Sequence, residues 1–318
     1  MRIIEPSVLL VKQPVDPVGI LRHIELCGRV CYKSEGKITA ESYKGFIERV
    51  IKRGHEAVLE HGNLIVRFGF DDCWIGTLEY DATYSNTPLF LRHTQSARNG
   101  TIVSGNFRAW RDALRLCIRS GLHISSALRD LLSKFDPVFT DLLHTVGVSD
   151  PGTAELIVSD DDLWTGYEVQ THSCRTLWFT CDRGVSHEIV RHRPASYCQE
   201  STRYCNYAKD DFGAEITVIK PCFFDEYTLQ YDVWKRACEQ AEKAYFDLMT
   251  HGDCTPQQAR TVLPNSLKTE VAMTANMGEW LHFLRLRCAE AAHPQMREVA
   301  TRAKKVLLCD VPEMETWL

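Results

Sequence analysis

The sequence has no excess of basic residues and no long apolar run. Its 318 residues include 37 Lys and Arg against 42 Asp and Glu, which gives a formal net charge of −5. A protein that coats nucleic acid usually carries a basic excess, so we expect no nucleic-acid partner. No stretch approaches the roughly 20 apolar residues that cross a bilayer, and residues 1–6 lack the apolar region of a signal peptide. These absences predict a cytoplasmic protein without a membrane partner.

Cysteine pairs at metal-binding spacing are also missing. The chain has thirteen cysteines, an odd number, and none of them forms a C-x-x-C pair. This pattern fits neither a zinc ribbon nor a secreted disulfide framework, so we expect reduced thiols that lie mostly in the core. No G-x-x-x-x-G-K-[ST] phosphate loop, no G-x-S-x-G elbow and no G-x-G-x-x-G after a strand is present, so the sequence gives no sign of the folds that these motifs mark.

The hydrophobic patterns mix a few strands with more numerous helices. Strand-like runs cover residues 3–10, 64–70, 176–181 and 215–220, and the clearest helical patterns cover 107–117, 124–132, 227–252, 255–264, 269–288 and 294–309. This mixture predicts an α/β (α+β) fold, which we expect to form one domain over residues 1–318. Residues 71–170 combine polar turns with helical stripes, so we interpret them as a mainly helical insertion, and the acidic run 159–162 as a solvated turn.

Two histidines near residue 60 invite comparison with zinc proteases. Such proteases place two metal-binding histidines four residues apart on one helix face. His55 and His61 are six residues apart, about 600° around a helix, so they point to different sides. We therefore predict no metal site at these histidines. In place of a zinc site, we interpret the segment as a polar stretch that caps a helix.

The most informative segment covers residues 191–204, with the sequence RHRPASYCQESTRY. Successive residues at a helix end are about 100° apart, so the initial Arg-His-Arg projects in three directions, which suits a polyanionic ligand or two ligands at once. Arginine pairs with phosphate and pyrimidine oxygens, and the Ser201 hydroxyl can complete a phosphate site. The alternative is a solvated basic helix end that pairs with Glu188 and Glu200.

The pattern of Arg-His-Arg, seven residues and then Ser over 191–201 resembles the signature of the flavin-dependent thymidylate synthases, the ThyX family. Three further segments resemble this family in the same order: the GHE and EH residues within 54–61, the AR-x-x-LP residues at 259–264, and the flavin- and nucleotide-binding helix at 276–287. The family makes dTMP from dUMP, with 5,10-methylenetetrahydrofolate as carbon donor and FAD, reduced by NADPH, as hydride carrier. The resemblance implies the same reaction here, a ThyX-like fold with a mixed central sheet flanked by helices, and a homotetramer whose active sites are shared between subunits.

The resemblance also implies roles for individual residues. Arg287 matches the arginine that activates the uracil ring of dUMP. The other residues that would bind dUMP are Glu188, Arg191, Gln199, Glu200, Ser201, Thr202, Arg203 and Arg260. The residues that would bind FAD are His55, Ala57, Glu60, Arg191, His192, Arg193, Gln199, Asn276, Met277, Gly278 and His282.

The implied chemistry needs no cysteine. C5 of uracil attacks only after electron density is pushed into the ring, either by a thiolate that adds at C6 or by a fixed positive charge. Arg287 stays cationic at any working pH and is the candidate for the second route. A cysteine-dependent synthase would instead use Cys222. A catalytically silent ThyX-like protein that only binds nucleotide or RNA would not require Arg287.

Several residues depart from the commoner family pattern. Ala57 stands in place of a frequent Thr, and His282 in place of Asn. Gly278 stands where many members carry Arg, so that phosphate or flavin contact must come from elsewhere or is lost. Glu188 stands where Gln is common, and an anion beside a nucleotide needs a basic neighbour. The sequence assigns no role to the insertion at 71–170.

Overall fold

The computed structural model describes residues 1–69, 74–84, 90–96, 100–149, 152–208 and 213–318. Its strands are β1 (Arg2–Ile4), β2 (Ser7–Val11), β3 (Asn63–Phe68), β4 (Arg92–Ser96), β5 (Gly100–Asn106), β6 (His123–Ser125), β7 (Gly147–Ser149), β8 (Ala154–Leu156), β9 (Cys174–Asp182), β10 (Ser196–Gln199), β11 (Thr217–Ile219) and β12 (Lys268–Asn276). Its α-helices are α1 (Pro17–Arg29), α2 (Ser42–Lys52), α3 (Trp74–Tyr84), α4 (Phe107–Ser120), α5 (Ser126–Ser133), α6 (Thr140–Leu143), α7 (Gly166–His172), α8 (Arg183–Ile189), α9 (Leu229–Thr250), α10 (Pro256–Ala259), α11 (Met277–Arg287) and α12 (Pro294–Asp310).

Four antiparallel strands in the order β10-β12-β9-β2 form the sheet that carries the candidate site. β12 lies inside this sheet and pairs with β9 over nine residues, from Lys268 opposite Asp182 to Asn276 opposite Cys174. Apolar side chains of α8, α11 and α12 pack against the sheet in one buried cluster. The predicted α/β class, with a sheet flanked by helices, is confirmed. The parallel pairs, β1 with β11 and β6 with β7, lie outside this sheet.

The prediction of one helix over 269–288 is wrong in its first part. Residues Lys268–Asn276 are strand β12, and helix α11 begins only at Met277. β-Branched residues recur along this strand and favour extended structure, and pairing on both sides satisfies its backbone polar groups. Asn276 then starts the helix, because its Oδ1 accepts a hydrogen bond from the Glu279 amide at 2.9 Å.

The strand predicted over 3–10 is two strands in different sheets. β1 pairs with β11, whereas β2 forms the edge of the main sheet beside β9. The strand is interrupted at Glu5 and Pro6, because proline lacks the amide hydrogen that pairing with a neighbouring strand needs. The strand predictions that the structure confirms are β3, β9 and β11, each within a few residues of its predicted ends; residue 70 lies outside the described residues.

The helices predicted over 227–252 and 294–309 are confirmed as α9 and α12. The helix predicted from Thr255 is a single turn, α10, followed by a 3₁₀ turn at Arg260–Val262. Its capping box forms, since the Thr255 amide donates to Gln258 Oε1 at 2.9 Å. Among the described helices, none is long and apolar enough to cross a bilayer.

The segment 71–170 contributes both helices and a second sheet. Its strands β4, β5 and β8 assemble around β3, which precedes the segment, in the antiparallel order β4-β5-β3-β8. The predicted stripe of α4 buries Phe107 and Trp110 in one apolar cluster with Ile24 of α1 and Ile47 of α2. The segment therefore shares a core with the amino-terminal helices. Its role as an insertion and its boundaries stay predictions.

The acidic run at 159–162 is more than a solvated turn. Asp160 binds the Arg175 guanidinium at 2.5 Å, and Arg175 also binds Asp310 at the end of α12 at 2.5 Å. The run therefore ties the second sheet to the main one. Polar stretches at 84–87 and 99–106 predict turns in the same segment, but residues 100–106 are strand β5 and Tyr84 ends α3, while residues 85–87 and 99 lie outside the described residues.

Candidate active site

Arg287 lies at the last residue of α11 with its guanidinium held on two sides. Nη1 donates to Glu188 Oε2 at 2.5 Å, Nη2 donates to the Glu188 carbonyl at 3.3 Å, and Nε donates to His192 Nε2 at 2.9 Å. The side chain is 15% exposed. A guanidinium has five N–H donors, so two of them are left for a ligand once these contacts within the described part of the chain are counted. Three predicted site residues thus meet in one cluster, which we call the Arg287 cluster (Glu188, His192 and Arg287).

Helix α8 and the turn after it place His192 in this cluster. The His192 amide donates to the Ile189 carbonyl at 3.2 Å, and the Tyr197 hydroxyl donates to the His192 carbonyl at 2.8 Å. The imidazole packs against the Phe283 ring at 4.8 Å and lies 5.9 Å from the His282 ring. Packing and backbone hydrogen bonds therefore fix the ring that orients Arg287.

The protonation state of His192 follows from its surroundings. Burial, then the charge of Arg287 and then His282, lower the pKa of His192 to about 4. The imidazole is therefore neutral near pH 7. Because Nε2 accepts a hydrogen bond from Arg287, the proton of the neutral ring is on Nδ1. The cluster carries one guanidinium and one carboxylate charge at that pH.

The residues predicted to bind the dUMP phosphate form a tight turn after β10. The Ser201 amide donates to the Cys31 carbonyl at 3.1 Å, and the Ser201 hydroxyl accepts from the Arg203 amide at 3.3 Å. Arg260 donates to the Thr202 hydroxyl at 3.4 Å. Arg203 and Arg260 are exposed. The turn therefore brings two cations and two hydroxyls together, a set that suits phosphate.

Glu200 and Gln199 point into the protein at the start of this turn. The Glu200 carboxylate is buried, binds Lys268 at 2.8 Å and accepts from the Tyr207 hydroxyl at 3.2 Å. Gln199 Nε2 donates to the Ser186 hydroxyl at 2.9 Å. Both side chains are therefore engaged inside the protein and position the turn.

The basic helix end does not pair with nearby carboxylates in the way the alternative interpretation requires. Glu188 binds Arg287, and Glu200 binds Lys268. Arg191 and Arg193 are exposed, and within the described ranges neither forms an ion pair with these carboxylates. Arg193 instead donates to the Val190 carbonyl at 2.6 Å and lies over the Tyr197 ring, whereas Arg191 stays exposed.

A cavity of about 500 Å³ opens beside three residues predicted to bind FAD. Glu60, Arg193 and Asn276 line it, and its volume is typical of small-molecule sites. Glu60 accepts from Arg108 at 2.8 Å and from the Ser196 hydroxyl at 3.1 Å. Charged and amide groups around a space of this size are compatible with a flavin dinucleotide.

The other residues predicted to bind FAD lie in different surroundings. His55, Ala57 and His282 are exposed, and the Met277 side chain is fully buried in the core. Gly278 is in the first turn of α11, where an added Cβ would lie 3.2 Å from the Gln170 carbonyl oxygen. These placements leave the individual FAD contacts as predictions.

His61 of the GHE and EH segment is a buried structural residue. Its Nδ1 is 2.7 Å from the Thr274 hydroxyl, while His55 is exposed. Burial, followed by the charge of His23, lowers the pKa of His61 to about 3. In the parts of the chain that the structure describes, no three His, Cys, Asp or Glu side chains come close enough to hold a metal ion.

Sequence reasoning missed several charged residues near these sites. Lys268 binds both Glu200 and Glu270 at 2.8 Å. The residues that follow it carry a helix prediction, which hides the strand that places Lys268 beside these carboxylates. Although burial opposes it, Lys268 and then Lys33 hold the pKa of Glu270 at about 2. Arg92 and Arg108 line the cavity from the segment 71–170. No local pattern could identify them, because only the tertiary fold brings that segment to Glu60.

Comparisons with known proteins find similarity over the part of the chain that carries this site. Residues 167–313 match the family described as thymidylate synthase complementing protein. Flavin-dependent thymidylate synthases of Pyrococcus furiosus and Geobacter sulfurreducens are 35% identical over 120 residues and 34% identical over 125 residues. These matches cover 38% and 39% of this chain, and 48% and 52% of the relatives. The chain therefore spans about half the length of each of these relatives.

Two solved structures give weaker likenesses. ThyX of Helicobacter pylori with FAD and dUMP has a TM-score of 0.34 at 19% identity, covering 42% of this chain and 66% of its own. The UMP/dUMP methylase PolB of Streptomyces cacaoi with 5-Br UMP has a TM-score of 0.40 at 13% identity, covering 97% and 92%. Both scores are too low to establish a shared fold over the whole chain. Residues 167–313, which hold the Arg287 cluster, the phosphate turn and α11, are therefore the part of the chain that matches the family model, and the chain is similar over 120 to 125 residues to flavin-dependent thymidylate synthases.

Proposed function

We propose that this chain is a flavin-dependent thymidylate synthase. It would convert dUMP to dTMP with 5,10-methylenetetrahydrofolate as carbon donor and with FAD, reduced by NADPH, as hydride source. The match of residues 167–313 to the family model supports the reaction class. The observation that carries the proposal is the Arg287 guanidinium, which Glu188 and His192 hold with two donors left over.

The role of Arg287 is to stabilise negative charge on the pyrimidine ring. C5 of uracil becomes nucleophilic when electron density moves into the ring, and a fixed cation lowers the energy of that state. A guanidinium keeps its charge at any working pH. The hydrogen bonds from Glu188 and His192 fix its orientation before substrate arrives, so little reorganisation is needed during the reaction. FAD, when bound, supplies the hydride chemistry.

The remaining site residues bind and orient substrate. Ser201, Thr202, Arg203 and Arg260 offer hydroxyl and guanidinium donors to the dUMP phosphate. Arg191, exposed at the end of α8, can reach the nucleotide or the flavin. Gln199 and Glu200 support the phosphate turn from inside. We also propose that the protein is a cytoplasmic homotetramer whose active sites are shared between subunits.

The residues around the cavity fit a flavin dinucleotide. Glu60, Arg193 and Asn276 line it and would hold FAD together with His192. The Asn276 side chain also caps α11 and donates to the Thr171 carbonyl at 2.9 Å, so its position is rigid. Family contacts that Ala57 and Gly278 no longer supply must come from other groups.

A second candidate is a catalytically silent relative that binds nucleotide or RNA without turnover. The observation in its favour is the carboxylate of Glu188, which partly neutralises Arg287 at 2.5 Å. On that reading Arg287 is a structural ion pair. The two candidates differ in one result, because only the enzyme makes dTMP.

The test starts from the purified protein loaded with FAD. We expect a flavin absorption band, NADPH oxidation that requires dUMP, and dTMP identified by mass spectrometry when the folate donor is present. Arg302→Ala, an exposed substitution on α12, is a matched control with wild-type turnover. A protein that cannot take up FAD contradicts the proposal. A protein that binds FAD and dUMP but forms no dTMP is the silent relative.

A further inference from the structure

The cavity beside Glu60 has walls from two parts of the chain. One wall belongs to residues 167–313, which match the family model, and includes Arg193 and Asn276. The other wall comes from the segment 71–170 and includes Arg92 and Arg108. A segment without an assigned role thus borders the space where the predicted flavin residues meet.

Positive charge prevails around this cavity. Three arginines, Arg92, Arg108 and Arg193, line it against the two carboxylates of Glu60 and Asp112. Arg108 is partly committed, since it donates to Glu60 at 2.8 Å and its Nε lies 3.9 Å from Asp112. Within the described ranges, the other two arginines form no ion pair with a carboxylate. The cavity is therefore suited to an anionic group.

Arg92 is the first residue of β4, and its charge acts on residues at the main sheet. β4 pairs with β5 with Arg92 opposite Ser104. After burial, Arg92 is the largest influence that lowers the pKa of His172, to about 4, and it also acts on Cys174, which lines the same cavity. The Arg92 side chain therefore lies close to both residues, at the wall of the cavity.

Position 278 in the first turn of α11 offers no cation, and the arginines of this helix, Arg285 and Arg287, lie in its last turn. Gly278 stands in the first turn of α11, where many ThyX members carry arginine. An added Cβ there would lie 3.2 Å from the Gln170 carbonyl oxygen, so a longer side chain needs α7 to shift. Arg92 and Arg108 bring cations to the cavity from the opposite wall.

We propose that the segment 71–170 completes the flavin cavity and that Arg92 and Arg108 bind the diphosphate of the flavin dinucleotide. This inference rests on the proposed function, because it takes FAD as the occupant. A diphosphate carries negative charge that guanidinium forks bind in pairs, whereas the isoalloxazine ring is planar and largely apolar. Arg92 is the stronger contact, since Arg108 shares its charge with Glu60.

The experiment compares two ligands that differ by the charged part. Dissociation constants for FAD and for riboflavin, which has the ring but no phosphate, are measured by flavin fluorescence on wild type, Arg92→Gln and Arg108→Gln. We expect FAD to bind Arg92→Gln roughly 10- to 100-fold more weakly, with riboflavin unchanged, as for the loss of one charge-assisted hydrogen bond. Arg108→Gln should show a smaller loss. Arg129→Gln, exposed on α5 in the same segment, is the control without effect.

Each outcome separates this inference from the proposed function. Wild type that binds no FAD contradicts the proposed function. Wild type that binds FAD, with an unchanged FAD constant in Arg92→Gln, overturns the role of Arg92. Equal losses for FAD and riboflavin also overturn it, since they indicate general damage to the pocket. If Arg92→Gln does not fold by circular dichroism, Arg92→Lys must give a weakened FAD constant with riboflavin unchanged, and equal FAD binding to wild type refutes the inference.

Discussion

The carboxylate of Glu188 binds the guanidinium of Arg287 at 2.5 Å, from a position where related proteins often carry Gln. The two residues come from the ends of different helices, α8 and α11, and His192 between them accepts a third hydrogen bond at 2.9 Å. Arg287 is therefore the basic neighbour that the Glu188 carboxylate needs. It also makes the orientation of Arg287 depend on Glu188.

Replacing Arg287 should separate binding from turnover. Arg287→Lys keeps a positive charge but loses the fork that Glu188 and His192 hold. We expect dTMP formation to fall about 10²- to 10³-fold, the cost of removing one transition-state donor. The dissociation constant for dUMP should change much less, since the phosphate turn is intact. Steady-state turnover and equilibrium binding of dUMP test this, and weaker binding with full turnover at saturation would assign Arg287 to binding alone.

Two substitutions of Glu188 should have opposite consequences. Glu188→Gln keeps a hydrogen-bond acceptor for Arg287 and removes one negative charge, so we expect tighter dUMP binding with turnover maintained. Glu188→Ala removes the acceptor and frees the Arg287 side chain, so turnover should fall about tenfold or more. Parallel kinetics on the two variants measure this difference. Equal turnover in both would mean that Glu188 does not orient Arg287.

Four buried histidines should make the protein sensitive to acid. Burial is the largest cause of the lowered pKa in each case, to about 4 for His23, His172 and His192 and about 3 for His61. Because these values lie below the ordinary 6.5, the unfolded chain takes up protons first as the pH falls. Stability is therefore complete above pH 6.5 and is lost progressively from about 6.5 toward 4.

Thermal unfolding between pH 7.5 and 4.5 measures this loss. The midpoint should fall with pH, and the slope should be smaller in His61→Gln, whose replacement cannot titrate. A flat midpoint across this range, in wild type, would show that these histidines are protonated in the folded protein. His251, on the exposed end of α9, supplies the control His251→Gln with an unchanged slope.

Lys268 should matter far more to stability than an exposed lysine does. It binds both Glu200 and Glu270 at 2.8 Å with 15% of its side chain exposed. Lys268→Met leaves these carboxylates buried without their shared cation, which costs about 3–5 kcal/mol. Lys12→Met, which removes the 77% exposed partner of Asp310, should cost less than about 1 kcal/mol. Urea unfolding of both variants decides the point, and equal losses would refute the buried network.

Cys222 should be dispensable for the reaction. It is exposed, and partial burial followed by the charge of Glu298 raises the pKa of its thiol. A raised pKa leaves little thiolate at neutral pH to attack a pyrimidine. Cys222→Ala should keep turnover within about twofold of wild type, as should Cys309→Ala, its exposed counterpart. A loss of tenfold or more in Cys222→Ala alone would indicate the thiolate route.

The sequence predicts elements best where local pattern and tertiary packing agree. The stripe of α4 buries Phe107 and Trp110 as its spacing predicts. Asp182 is a residue type that favours helix starts, and its Oδ1 accepts from the Val185 amide at 2.8 Å at the start of α8. In contrast, residues 268–276 read as the start of a helix, and pairing with β9 and β10 made them a strand. The strand state depends on partners about 70 to 100 residues away, which no local pattern contains.

The candidate site follows the same division. The resemblance to the ThyX family pointed to Glu188, His192 and Arg287, and the structure brings the three into contact. It did not identify the ion pair itself, because α8 and α11 are almost 100 residues apart in sequence. The position of Arg92 and Arg108 at the cavity could not be predicted from the sequence either. Those arginines lie outside residues 167–313, which match the family model, and the folded chain places them beside Glu60.

The central claim is that the fixed charge of Arg287, and no thiol, prepares the pyrimidine for methylation. Its most direct test is a rapid acid quench of the FAD-loaded protein during turnover of dUMP, followed by mass spectrometry of both nucleotide and protein. The account predicts dTMP in wild type, none in Arg287→Ala despite bound dUMP, and intact protein of unchanged mass in each sample. A nucleotide joined to any cysteine, or dTMP formed at the wild-type rate by Arg287→Ala, would contradict it.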